Sequence, residues 1–236
     1  MNDQPQGKKS EAEGTSFDIF TILSHDLTSP LNAVESYMDI MINKTLGETL
    51  EPYMPILDKC VARLHHMREL ISDIADWSRI QSPSSVRTFT EIDISKTAYA
   101  VLDLYQQGAQ VRNISISTVI EDALTMTAVG REIELIFRHL IANAIKYNRD
   151  GGSITISIKK ADAHINVKVA DTGIGMTAEE QARLFQAFVR IKNNKTQGIT
   201  GTGLGLAIIK SLIERYGGEI LVESKFGKGT TFSLTL

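Results

Sequence analysis

Phe20, Leu23, Leu27, Leu31, Val34, Met38 and Met41 follow one another at spacings of three and four residues. That repeat fits one face of an α-helix and excludes a strand, whose apolar positions recur every second residue. A second run, Leu57, Cys60, Leu64, Met67, Ile71, Ile74 and Trp77, keeps the same spacing. Residues 43–47 break the pattern between them, with Gly47 as a stop signal. Two helices joined by a short loop make an antiparallel hairpin. Each helix carries a narrow apolar seam, and a lone hairpin cannot bury both sides of it. Pairing of two hairpins into a four-helix bundle buries the remainder, so the pattern predicts a homodimer. Packing of the hairpin on the rest of its own chain is the alternative.

The periodicity changes after Gln81-Ser-Pro-Ser-Ser85, a linker signal. Alternation predicts strands at 89–94, 113–120, 124–129, 153–159, 165–170, 219–224 and 230–236, with a hairpin turn around Asp162. Helical spacing predicts helices at 95–107, capped by Ser95, and at 131–147, 178–188 and 204–216. Residues 190–202 read as a mobile loop. The fold class is therefore α+β, a helical hairpin followed by an α/β sandwich with helices on one face of a mixed sheet. The divisions are a flexible lead at 1–16, the dimerisation hairpin at 17–80, a linker at 81–87 and a second domain at 88–236.

Composition narrows the function classes. The chain has 236 residues, 42% of them hydrophobic, enough to fill a core and too many for a disordered chain. A formal charge of −3 excludes a strongly basic nucleic-acid binder. The single cysteine, Cys60, excludes a disulfide framework. No apolar run reaches the roughly 18–20 residues that cross a bilayer, and the polar start is unlike a secretory leader. The expectation is a cytoplasmic chain without membrane contact, any sensor region lying outside it.

Three local patterns carry chemistry. Asp171-Thr-Gly-Ile-Gly175 follows an alternating strand. A carboxylate there can accept a hydrogen bond from an exocyclic amine such as that of adenine, and Gly173 and Gly175 allow close approach. The bland alternative is a simple turn. Gly201-Thr-Gly-Leu-Gly205 opens a helix, whose free N–H groups attract phosphate. It is neither a Walker loop nor a Rossmann fingerprint, and a glycine hinge is the alternative. On the 131–147 helix, His139, Asn143, Lys146 and Tyr147 share one side. An amide oxygen of Asn143 suits Mg²⁺, Lys146 suits phosphate and Tyr147 can stack on a base. Taken singly, each is equally a surface polar group or a core tyrosine.

In chain order the sequence carries HLIANAIKYN (139–148), DTGIGM (171–176), LFQAFVR (184–190) and GTGLGLAI (201–208). This series resembles the N, G1, F and G2 boxes of the histidine-kinase ATP-binding domain, of the Bergerat-fold superfamily. The resemblance spans about residues 88–236 and implies an α/β sandwich that binds ATP and Mg²⁺ under a lid. It implies that Asn143 holds the metal and that Asp171 reads adenine. It also implies that Gly201, Thr202, Gly203, Leu204 and Gly205 line the lid edge beside the phosphates, with Arg190 near the γ-phosphate. His139 stands where many relatives have Asn.

Ser24-His-Asp-Leu-Thr-Ser-Pro-Leu31 is similar to the family's H box, over a resemblance of about residues 17–80. His25 lies about 140° around the helix from Phe20 and about 200° from Leu23 and Leu27, facing away from the seam. A neutral imidazole is a competent nucleophile at about pH 7. Asp26 can hydrogen-bond the opposite ring N–H or take the released proton. Pro30 leaves the Asp26 carbonyl without its helical partner. Ser29 stands where relatives carry the Thr or Asn that assists a phosphatase reaction.

Together these resemblances imply a sensor histidine kinase core in which ATP phosphorylates His25 and a response-regulator receiver domain takes the group onto an aspartate. An ATP-hydrolysing relative of the gyrase kind would need a glutamate base where His139 stands. A nucleotide-sensing scaffold without chemistry would not need His25, Asn143 and Asp171 together.

Overall fold

The computed structural model describes residues 7–82, 84–162, 164–191, 193–197 and 199–236, with side chains from Ser24 onward. The chain divides into two compact units, Met1–Ile74 with Thr200–Thr202, and Ala75–Ile199 with Gly203–Leu236.

The first unit is built on two helices, α1 (Gly7–Ile42) and α2 (Met54–Gln81). α1 begins inside the stretch expected to be a flexible lead. Residues 7–16 hold two Lys, two Glu and one Ala, which favour helix, beside two Gly and two Ser, which do not. The connection turns at Lys44 (φ 50°) and Gly47 (φ 112°). It is clasped by the buried Tyr53, whose hydroxyl accepts from Leu46 N–H (3.0 Å) and donates to Gly47 O (2.8 Å). The predicted seam is divided in two. Of its residues Val34 and Cys60 are buried, whereas Leu31, Met38, Leu64 and Ile71 remain exposed; beside it Pro30, Tyr53 and Leu70 are buried and Ile42 is exposed.

The second unit holds a five-stranded mixed sheet in the order β2-β4-β5-β7-β6. Its strands are β2 (Ser115–Ile120), β4 (Ser153–Ala161), β5 (His164–Asp171), β6 (Ile220–Lys225) and β7 (Gly229–Thr235). β2 and β4 run parallel, and the other neighbours antiparallel. A separate ribbon pairs β1 (Thr90–Asp93) with β3 (Thr125–Ala128). Three longer helices accompany the sheet, α3 (Ile94–Val111), α4 (Gly130–Lys146) and α6 (Gly205–Arg215). Ile154, Ile156 and Ile158 of β4 and Val167 and Val169 of β5 alternate inward with period two. They share the core with Ile133, Phe137 and Leu140 of α4 and with Ile208, Ile209 and Leu212 of α6, all essentially inaccessible.

Two expected boundaries change. α3 is capped by Asp93, whose carboxylate accepts from Lys96 N–H, while the Ser95 hydroxyl donates to Glu121 O and accepts from Leu124 N–H. The helix expected at 178–188 shrinks to α5 (Ala178–Ala182), opened by a Thr177/Glu180 capping box. The chain then turns, and Phe188 adopts φ 63°.

The start of the second domain is anchored. Arg87 makes a bidentate pair with Glu132 (2.9 and 2.6 Å), and its guanidinium lies over the rings of Phe89 and Tyr216. The Tyr216 hydroxyl donates to the same carboxylate (2.6 Å). Burial and that contact push the Tyr216 phenol up to about 12. α2 extends to Gln81, the first residue of the 81–87 linker read from composition. No described helix is long and apolar enough to cross a membrane.

Candidate active site

Asp171 ends β5, where the sheet gives way to the glycine turn. Its Oδ1 accepts from Gly173 N–H (2.8 Å) and Thr230 N–H (3.2 Å). Burial outweighs these two bonds and raises the carboxyl from the usual 3.8 to about 6. The turn is fastened to the end of α4, because Ile174 N–H donates to Tyr147 O (3.0 Å). Asn143, Lys146 and Tyr147 therefore occupy the last turn of the helix that holds the Asp171 loop. The Lys146 ammonium lies 5.7 Å from the Tyr147 ring centroid. Burial pushes the Tyr147 phenol up and the nearby Arg190 cation draws it back, which places Arg190 within electrostatic reach.

Asn143 is half-buried, and no side-chain hydrogen bond to another described residue engages its amide. An uncommitted amide oxygen beside a lysine fits a Mg²⁺ that takes its other ligands from water and phosphate. Among the described residues no cluster of three His, Cys, Asp or Glu could hold a metal by itself.

His139 lies one turn before Asn143, and its imidazole packs over the first residue of α6. A Cβ on Gly205 would sit 2.8 Å from His139 Nδ1, so glycine there permits the close approach of α4 and α6. Gly203 (φ 72°) faces Phe188. Its carbonyl accepts from Phe188 N–H (3.0 Å), and a Cβ would press on the Phe188 backbone. This contact closes the base of the 190–202 loop. Within the loop Asn193 Nδ2 donates to Glu180 Oε1 (2.9 Å), and Arg190 Nη2 donates to Ile199 O (2.9 Å). Leu204 is buried and caps α6. Gly201 and Thr202 group with the helical unit, where the Thr202 hydroxyl donates to Asp73 Oδ2 (2.5 Å).

Sequence reasoning missed several supports. Asn148 is 4% exposed and donates to Ser153 O, while the Thr172 hydroxyl accepts from Ser153 N–H (2.8 Å). Thr230 contributes only a backbone N–H. The glycine-rich Gly227-Lys-Gly-Thr230 turn was the available signal for it.

In the first unit His25 is exposed, one helical turn before the exposed Ser29. His25 Nδ1 lies 3.2 Å from Asp26 Oδ1. With Nδ1 as donor to the carboxylate, Nε2 keeps its lone pair and faces solvent.

Residues 128–236 match the family described as histidine kinase-, DNA gyrase B-, and HSP90-like ATPase. The sensor-like histidine kinase SenX3 of Mycolicibacterium smegmatis is 29% identical over 236 residues, covering 98% of this chain and 60% of its own. The histidine protein kinase DivJ of Caulobacter vibrioides is 29% identical, covering 91% of this chain and 36% of its own. The chain thus spans between about a third and three fifths of these relatives' lengths. The structure of histidine kinase ThkA in complex with response regulator protein TrrA superposes with a TM-score of 0.71 at 21% identity, over 100% of this chain and 67% of that one, a likeness of fold. With Asn143, Lys146, Tyr147 and the Asp171 turn brought together at the end of α4 and a histidine presented on α1, residues 128–236 belong to that ATPase family and the chain as a whole is similar to the catalytic cores of sensor histidine kinases.

Proposed function

We propose that the chain transfers the γ-phosphoryl group of ATP to His25 and then to an aspartate of a response-regulator receiver domain. One observation carries the reading: a solvent-facing imidazole has its Nδ1 engaged by Asp26, in a chain that also holds an ATPase-family domain.

ATP is held with its adenine amine donating to Asp171 Oδ2, since Oδ1 is occupied by two backbone donors. Tyr147 flanks the base. Lys146 and Arg190 neutralise phosphate charge, and the backbone of 201–205 lines the phosphate side. The Asn143 amide oxygen would hold Mg²⁺, which would supply neutralisation of phosphate charge. The ATP-binding domain swings on the 81–87 linker to present the γ-phosphate. The lone pair on His25 Nε2 then attacks phosphorus. An N–P bond forms, the bond from phosphorus to the β,γ-bridging oxygen breaks, and ADP leaves. Asp26 stabilises the positive charge that develops on the ring and accepts the Nδ1 proton. In the second step a receiver carboxylate attacks the phosphorus, the N–P bond breaks, and Asp26 returns the proton to Nδ1 so that a neutral imidazole departs. The complex of histidine kinase ThkA with response regulator protein TrrA supports a partner of this class. Exposed Leu31, Met38, Ile42, Leu64 and Ile71 support pairing of two hairpins into a homodimer. Ser29, one helical turn from His25, assists a phosphatase reaction by orienting water. The core acts in the cytoplasm.

Incubation with γ-labelled ATP and Mg²⁺ tests the reading. The expected product is an acid-labile, base-stable label on the chain that is absent from His25→Ala. Tight ATP binding with no label would point instead to a signalling scaffold.

A further inference from the structure

Arg112 follows the last residue of α3 and belongs to none of the motifs. Its guanidinium reaches the end of α4. Nη1 donates to Ile145 O (2.5 Å) and, at longer range, to Lys146 O (3.4 Å). Nη2 donates to Asn148 O (2.7 Å), and Nε donates to Asp150 Oδ1 (2.8 Å). The Arg112 carbonyl accepts from Gly151 N–H (3.0 Å), so backbone and side chain grip the same turn. The last carbonyls of a helix lack a full set of intrahelical donors and carry partial negative charge. A planar cation with several diverging donors answers both needs at once. Among the carbonyls of 145–148, the one Arg112 does not take is that of Tyr147, which instead accepts Ile174 N–H from the Asp171 turn.

We propose that Arg112 is a positioning residue of the nucleotide site. Its fork holds the final turn of α4 in the register that turns the Tyr147 carbonyl toward Ile174. It thereby sets the separation between Asn143 and Lys146, which meet the metal and phosphates, and Asp171, which meets adenine. Without the fork the last turn frays, Tyr147 O swings away from Ile174, and the two halves of the site lose their fixed spacing. The inference rests on the reading of this site as one for ATP. A purely structural staple between α3 and α4 would lower stability and leave the affinity of the folded protein unchanged.

Calorimetric titration of the full chain with MgATP, alongside thermal unfolding of the same samples, separates the two roles. Arg112→Ala is expected to raise Kd and KM for MgATP about tenfold. Its autophosphorylation rate at saturating ATP should stay within about twofold of wild type. Arg112→Lys keeps the charge and loses the fork, so its Kd should rise about threefold. Ile158→Ala, in the sheet core and several residues along β4 from the Asp171 pairing, is the destabilised reference. An Arg112→Ala affinity equal to that of Ile158→Ala overturns the proposal. Should the alanine variant fail to fold, an unchanged Kd in folded Arg112→Lys overturns it equally. A wild-type chain that binds no MgATP overturns the ATP reading itself, a result visible before any variant is compared.

Discussion

Asp171 is held in a place that disfavours its charge. In the folded chain its carboxyl titrates at about 6 rather than 3.8, so between those values the folded state carries more protons than the unfolded one. The stability linked to this group is fully present below about pH 4 and is lost as pH rises through about 6. At neutral pH the ionised carboxylate then costs up to about 3 kcal/mol, two pKa units at 1.36 kcal/mol each. Asp171→Asn should therefore raise the melting temperature of the nucleotide-free chain at pH 7.5 and flatten its stability between pH 4 and 6.5. The same change should weaken ATP binding by at least about tenfold. The two N–H donors at the Oδ1 position force the new amide to place its oxygen there and turn its NH₂ toward the adenine amine. A variant that melts no higher, or that binds ATP as before, would sink this account. For the wild type, ATP affinity should fall as pH drops through about 6, where the acceptor becomes protonated. His25, Asn143 and Asp171 were legible as candidates because side-chain chemistry at short spacing marks them. Thr230 and Arg112 were not, because they act on or through backbone groups far away in sequence, and Asn148 was not, because its amide serves the backbone of its own 148–153 turn.

At the scale of elements, α4 and α6 approach through His139 and Gly205, and this contact makes a coupling prediction. Gly205→Ala alone places a methyl against the imidazole and should destabilise the domain by about 1–3 kcal/mol. His139→Ala opens the space, so the double variant should recover most of that loss, giving a coupling of about 1 kcal/mol or more in a double-mutant cycle of chemical denaturation. Strict additivity would show that the ring does not set the helix approach. The long, strongly patterned elements were readable from sequence, since α4 and β4 bury residues at periods that only one structure satisfies. α5 was not. Leu184, Phe185 and Phe188 look like a helical face, yet the left-handed turn at Phe188 and its bond to Gly203 redirect the chain. That competition between local spacing and a contact fifteen positions away cannot be read from residues 178–188 alone.

For the molecule as a whole, the decisive quantity is the apolar surface left on the hairpin. Met38 and Ile71 are each about half exposed, at 52% and 55%, and Leu31 and Leu64 lie seven positions from them along α1 and α2. Residues seven apart fall on one face after two turns, so each helix shows a pair of uncovered apolar side chains along one strip. The sequence pattern told that an apolar seam exists, but not which part would face the other helix of the same chain. The clasped loop and the burial of Val34, Cys60 and Leu70 decide that. Burying an exposed leucine, isoleucine or methionine in a second copy contributes about 1.5–3 kcal/mol each. Ile71→Glu would put a charge in that interface, which is costly without a partner. Sedimentation of the wild-type chain should give a dimer, and Ile71→Glu a monomer at the same micromolar concentration. MgATP affinity should be the same in both, because Asn143, Lys146 and Asp171 belong to the other compact unit. A monomeric wild type would leave the strip unexplained by self-pairing. A monomeric variant that also lost ATP binding would mean that the nucleotide site depends on the assembled hairpins and does not stand on its own domain.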